Sequence, residues 1–102
     1  FDDNAAAEVP TSFALAQNYP NPFNQSTLIP YSLAGDSHVK ITVANILGQT
    51  VSTIVDGFQP AGSHTAAWDS RDGNSAAVAS GIYFFRVQVG VASQVRKMVL
   101  LK

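Results

Sequence analysis

The chain has 102 residues, enough for one domain and one hydrophobic core. Apolar residues make up 46% and charged residues only 13%, well below the ~25% of an average soluble domain, which suggests a module that lies against other protein or at a cell surface. No apolar run approaches the ~18 residues of a membrane-spanning helix, and six bases without a basic-aromatic cluster argue against nucleic acid as a partner.

The chain lacks cysteine, which fits a reducing compartment or an exported protein that folds without disulfides. Its charge is uneven. Residues 1–72 hold all seven acids and two bases, Lys40 and Arg71. Residues 73–102 hold four bases, Arg86, Arg96, Lys97 and Lys102, and no acid. Chance explains this as well as a C-terminal surface for an anionic partner does.

The first segment, "FDDNAAAEVPTS" over 1–12, is small, acidic and proline-bearing. It reads as a linker, and a chain opening at Phe1 with no leader-like segment reads as cut from something longer. A short strand is expected near Phe13–Ala16. "NYPNPFN" follows, from Asn18 to Asn24. Pro20 and Pro22 fix φ and push Tyr19 and Asn21 toward extended backbone, while asparagines bond nearby backbone groups. The stretch reads as a stiff corner anchored by buried Tyr19 and Phe23.

From there the apolar residues recur with period two, the mark of strands. "STLIPYSL" puts Thr27, Ile29, Tyr31 and Leu33 on one face, and Pro30 predicts an edge strand or a bulge. "HVKITVAN" alternates Val39, Ile41 and Val43 with His38, Lys40 and Thr42. "TVSTIVD" is short and mixed. "SHTAAWD" groups His64, Ala66 and Trp68. "GIYFFRVQV" groups Tyr83, Phe85, Val87 and Val89 against Ile82, Phe84 and Arg86, and "SQVRKMVLLK" is a last alternating strand. Gly-rich turns lie between. About seven short strands without a helix predict an all-β, immunoglobulin-like or fibronectin III-like antiparallel β-sandwich. Trp68, Tyr31 and Phe85 are expected in its core, with the Trp68 ring bridging the sheets.

The residues give little support to catalysis. His38 and His64 have no local partner, and no Gly-x-Ser-x-Gly elbow occurs. His64 reads as a satisfied structural histidine. Asp69 and Asp72 in "WDSRDGN" are more in keeping with a turn than with calcium, whose binding in loop 69–79 the sequence leaves open. "NQS" at Asn24–Ser26 matches a glycosylation sequon of three common residues and carries little weight. Ile82 and Phe84 form either part of a packed sheet face or a strip for a ligand. No catalytic residue, metal ligand or cofactor is assigned.

In this order, "NYPNPFN", "STLIPYSL", "VKITVANILGQTVSTIVDG", "AGSHTAAWDSRD", "VASGIYFFRVQVG" and "VRKMVLLK" resemble the type A C-terminal sorting domain of type IX secretion substrates. A neighbouring likeness is to the immunoglobulin-like domain of the flagellar hook-capping protein. The resemblance covers residues 13–102. Gln25 and Ala34 stand where prolines are common, Ala44 where an aromatic is common, and the glycine usual just before "VASG" is missing, with Ser75 nearest. The resemblance implies a non-catalytic last module of a larger bacterial protein, secreted through the periplasm to the medium or cell surface. Its implied partners are the outer-membrane secretion machinery, an upstream catalytic or adhesive domain and surface polysaccharide, and a monomer is expected. By position it assigns machinery recognition to Gly81, Tyr83, Lys97, Met98, Val99, Leu100, Leu101 and Lys102, with the terminal strand read at a sheet edge. Two alternatives stay open: a passive immunoglobulin-like spacer, and a carbohydrate-binding module attached to a glycoside hydrolase.

Overall fold

The structure, a computed structural model, describes residues 13–102, so the linker reading of 1–12 lies outside the described residues. Seven strands follow in chain order: β1 (Phe13–Leu15), β2 (Thr27–Leu33), β3 (Ser37–Asn45), β4 (Thr50–Gln59), β5 (Gly62–Trp68), β6 (Gly81–Val89) and β7 (Ala92–Leu100). Period-two patterning puts one apolar face on each, and two such faces must bury each other. They do so as a three-stranded sheet, β1-β2-β5, over a four-stranded sheet, β4-β3-β6-β7, with every strand pair antiparallel. The all-β immunoglobulin-like sandwich expected from the sequence is the observed architecture.

The predicted inward faces form the core. Ile29, Val39, Ile41, Val43, Phe85 and Val87 are fully buried, and Tyr31, Leu33, Trp68 and Tyr83 nearly so. Trp68 on the small sheet meets the Phe23 ring edge-on at 5.8 Å and the Tyr83 ring of the large sheet at 5.3 Å, so it does bridge the layers. Its indole N–H donates to the Arg71 carbonyl at 2.9 Å, which removes the cost of burying that group.

β4 is longer than "TVSTIVD" suggested. The register slips between Ile41 and Thr42 and again between Val43 and Ala44, leaving Ile54 and Val51 as the extra residues of two bulges on β4. Each extra residue reverses the in-out alternation, which hides the strand from a period-two reading. Gly73 N–H donates to the Val51 carbonyl at 3.0 Å, so the loop after β5 covers part of this outer edge.

Pro30 corrects an expectation. Its strand is the middle of the small sheet, between β1 and β5. Pro30 opposes Thr65 on β5, and its carbonyl accepts from Ala16 N–H at 3.1 Å on the other side. N and O of one strand residue point the same way, so the missing donor faces Ala16, just past the end of the three-residue β1. A short neighbour does here what an edge position would do.

Candidate recognition site at the terminal strand

β7 is the outer strand of the large sheet, so one side of its backbone has no strand of that sheet beside it. Side chains and backbone groups alternate along it. Met98 and Leu100 point into the core and are fully buried, so the folded domain does not offer these two side chains for the recognition that the resemblance implied. Lys97 and Lys102 are exposed, Leu101 is 56% exposed and Val99 is half-buried. Of the six terminal residues, these four present side chains outward. Arg96 turns the other way and donates from an outer guanidinium nitrogen to the Leu15 carbonyl at 3.0 Å, tying β7 to β1 of the opposite sheet.

Gly81 and Tyr83 sit on the adjoining β6, where Gly81 opposes Leu100 and Tyr83 opposes Met98. The structure thus brings both beside the terminal strand. Gly81 has φ +156°, a value that L side chains rarely adopt, with nothing within 4 Å of where a Cβ would stand. Its glycine serves backbone conformation, not close approach. Tyr83 is buried, donates its hydroxyl to the Ala79 carbonyl at 2.7 Å, and packs on Trp68. Burial holds its phenol above the ordinary pKa. Its place is structural. At the chain end, Lys102 N–H donates to Ser80 Oγ at 2.9 Å.

The edge of β7 is covered by "NYPNPFN". Phe23 and Leu100 form a parallel bridge. Phe23 N–H donates to the Val99 carbonyl at 3.0 Å, and Leu101 N–H donates to the Phe23 carbonyl at 2.8 Å. Val99 N–H donates to Asn21 Oδ1 at 3.0 Å, and Gln17 Nε2 donates to the Lys97 carbonyl at 2.8 Å. Four successive outward groups of the edge therefore have partners within residues 17–23.

The same segment corrects two expectations. Phe23 is buried, but Tyr19 is 73% exposed and anchors nothing in the core. Its backbone instead pairs with Leu28, exchanging both hydrogen bonds at 2.8 Å. Asn21 bonds the far terminal strand, not nearby backbone. The inner anchor is Asn18, which is buried and donates to Thr27 Oγ1 at 2.9 Å and to the Pro20 carbonyl at 3.2 Å. The Tyr19–Pro20 and Asn21–Pro22 peptide bonds are both cis.

The remaining polar candidates have structural partners. His64 Nε2 lies 2.7 Å from the Pro60 carbonyl, and the ring stacks on Tyr31 at 5.4 Å. His38 Nε2 lies 3.1 Å from Asp56 Oδ1 on the neighbouring strand, both half-exposed, a partner that the sequence did not reveal. Asp72 Oδ1 accepts from Asn74 N–H at 2.9 Å and Ala76 N–H at 3.0 Å, the bonds of an Asx turn. Among the described residues, no three His, Cys, Asp or Glu side chains group as a metal site. On the outer face of the large sheet, Phe84 is half-buried and Ile82 is 42% exposed.

These features define an immunoglobulin-like sandwich in which residues 17–23 are hydrogen-bonded to residues 97–101. The FlgD Ig-like domain family matches residues 22–93, and the chain belongs to that family. No curated protein matches it in sequence. Among solved structures, it is similar to dimeric latent PorU from Porphyromonas gingivalis (TM-score 0.74, 14% identity, 97% of this chain and 10% of PorU). It is similar to PorZ of the same organism, an essential bacterial surface component of the type-IX secretion system (TM-score 0.59, 18% identity, 84% of this chain and 11% of PorZ). FLGD from P. aeruginosa matches with TM-score 0.55 and 22% identity over 87% of this chain and 64% of that one. At these identities the likeness shows the fold. The chain spans about a tenth of PorU and PorZ.

Proposed function

We propose that this domain is a non-catalytic sorting module of a larger exported bacterial protein, acting as its type IX secretion signal and surface anchor. The reading rests on the ordered motif resemblance from "NYPNPFN" to "VRKMVLLK". The observation that carries it furthest is the chain's end, where Lys97 on the terminal strand and Leu101 and Lys102 just beyond it are exposed beside a sheet edge. The shared fold with PorZ, a surface component of that system, supports the setting. The upstream part of the parent, joined through 1–12, supplies the catalytic or adhesive activity. Secretion machinery is the protein partner, and surface polysaccharide the acceptor when the domain is retained at the cell.

The decisive experiment fuses residues 1–102 to a reporter in a host with type IX secretion and measures reporter in the medium and on the cell surface. Truncating the last six residues would remove the buried Met98 and Leu100 and confound recognition with unfolding. The substitutions Lys97→Glu, Leu101→Ser and Lys102→Glu change exposed side chains instead. Export of the wild-type fusion, with a large fall for the triple variant at unchanged melting temperature, is expected. Equal export of both would remove the terminal strand as the signal. No export of either favours the second reading, an immunoglobulin-like spacer, which membership of the FlgD Ig-like family supports.

A further inference from the structure

The outward face of the large sheet carries a charge pattern that the core does not need. In register, Arg86 lies between Thr42 and Val95, and Phe84 lies between Ala44 and Lys97. Lys40 lies beside Gln88, one outward row further on. Lys40, Arg86 and Lys97 therefore stand on one diagonal across β3, β6 and β7, in steps of about 7 Å. All three are exposed. Among the described residues none of them forms an ion pair, and the one acid on this face, Asp56 opposite Lys40, lies 3.1 Å from His38. Two of the four bases that crowd residues 73–102 thus join Lys40 on a single face. A groove there has Lys40, Thr42, Thr50, Phe84, Arg86 and Gln88 in its wall and no acid. Ala44 and Gly48 also line it and are too small to fill it. Phe84 is half-buried, so its ring is part of the wall and does not project.

We propose that this groove binds an acidic polysaccharide, a sugar chain bearing carboxylates. The guanidinium fork of Arg86 matches a carboxylate, and Lys40 and Lys97 offer point charges on either side along the diagonal. The electron-rich face of the Phe84 ring suits the C–H face of a sugar ring. Thr42, Thr50 and Gln88 supply hydroxyl and amide groups for sugar hydroxyls. An acidic peptide would meet the same cations but find nothing for its main chain. β3 and β6 are paired on both sides, so this face offers side chains only and no strand addition. The inference deepens the surface-anchor reading and rests on it for where such a polysaccharide is met.

The test uses purified residues 1–102 and no secretion host, and Lys40 and Arg86 are unchanged in the export variant, so either reading can fail alone. A galacturonic acid hexamer is titrated in and followed by amide NMR shifts in about 0.1 M salt, where charges further apart than about 10 Å are largely screened. Saturable shifts at Thr42, Phe84, Arg86 and Val95 are expected. The methyl-esterified hexamer, which lacks the charges, and poly-glutamate should each bind at least about tenfold more weakly. A Lys40→Gln, Arg86→Gln double variant should lose at least about tenfold in affinity at unchanged melting temperature. Ser63→Glu with Thr65→Glu makes the same change in net charge at exposed residues of the opposite sheet, and should alter affinity less than about twofold. Phe84→Leu keeps an apolar cover but loses the flat ring, and should weaken binding several-fold. Absence of saturable shifts with the hexamer would overturn the proposal. Equal affinity for poly-glutamate, or unchanged affinity in Phe84→Leu, would overturn the choice of a sugar chain in favour of an acidic protein. Equal losses in the two double variants would trace binding to net charge and remove the groove as the site.

Discussion

The Trp68 ring on the small sheet meets the Tyr83 ring on the large sheet edge-on, 5.3 Å between centroids. This contact crosses the sandwich, and with Phe23 on the other side of Trp68 it joins three separate parts of the chain. Trp68→Ala should cost about 3–5 kcal/mol, the usual range for deleting a large buried aromatic. A domain of this size holds about 5–15 kcal/mol in total, so much of its margin would go. Urea unfolding followed by far-UV circular dichroism gives the answer, and an unchanged midpoint would show that the ring contributes no packing.

Met98→Ala carries the same logic into the terminal strand. Its side chain is fully buried. The substitution should cost about 2–5 kcal/mol by the cavity it leaves. Lys97→Ala beside it, exposed and on the opposite face, should shift stability by less than about 0.5 kcal/mol. Paired denaturation curves for the two variants test the in-out alternation of β7 directly. Similar losses for both would contradict it.

Alkaline pH should weaken the fold through Tyr31 and Tyr83. Burial raises both phenols, and for Tyr31 the hydrogen bond to Gln59 Oε1 offsets part of that rise. A raised folded-state pKa means that the folded form holds its proton more tightly. The stabilisation is therefore complete below the unfolded value near 10 and is lost as pH climbs through the folded values. Thermal melts between pH 8 and 12 should show stability falling above about pH 10. A Tyr31→Phe, Tyr83→Phe double variant should show a shallower fall; an identical slope would assign the loss to other groups.

Asn45 organises the turn between β3 and β4. Its Oδ1 accepts from Leu47 N–H at 3.0 Å and Gln49 N–H at 3.1 Å, and Gly48 completes the turn at φ +81°. Asn45→Ala should cost about 1–2 kcal/mol through the lost bonds. Gly48→Ala should cost about 1 kcal/mol through the strained backbone. Neither should alter the core, so near-ultraviolet dichroism of Trp68 should stay as in wild type while urea midpoints fall.

Much of the fold was legible because it is local. Ile29, Tyr31 and Leu33, like Val39, Ile41 and Val43, alternate with polar, exposed or half-buried neighbours, and the inward set is the core. β4 resisted the same reading because Val51 and Ile54 are bulge residues that break the alternation. Pro30 misled because the rule that keeps proline at edges concerns a hydrogen bond and not strand order, and β1 stops one residue short of needing it. The site was the least legible part. Asn21 and Val99 are 78 residues apart, and nothing in either stretch announces the other. The distinction between Lys97 and Met98 follows from alternation, but the cover over their shared edge does not.

The direction of that cover has a mechanical consequence. Residues 17–23 run alongside β7 in the same sense, from Gln17 at Lys97 to Phe23 at Leu101. Their upstream end and the downstream end of β7 therefore lie at opposite ends of the paired stretch. Tension applied between residue 13 and residue 102 slides the two segments past each other. It loads the bonds at Lys97, Val99 and Leu101 together, where an antiparallel pairing would let them peel apart one after another. A pull on the C-terminus is therefore resisted in shear at the seam between the chain's entry and its exit.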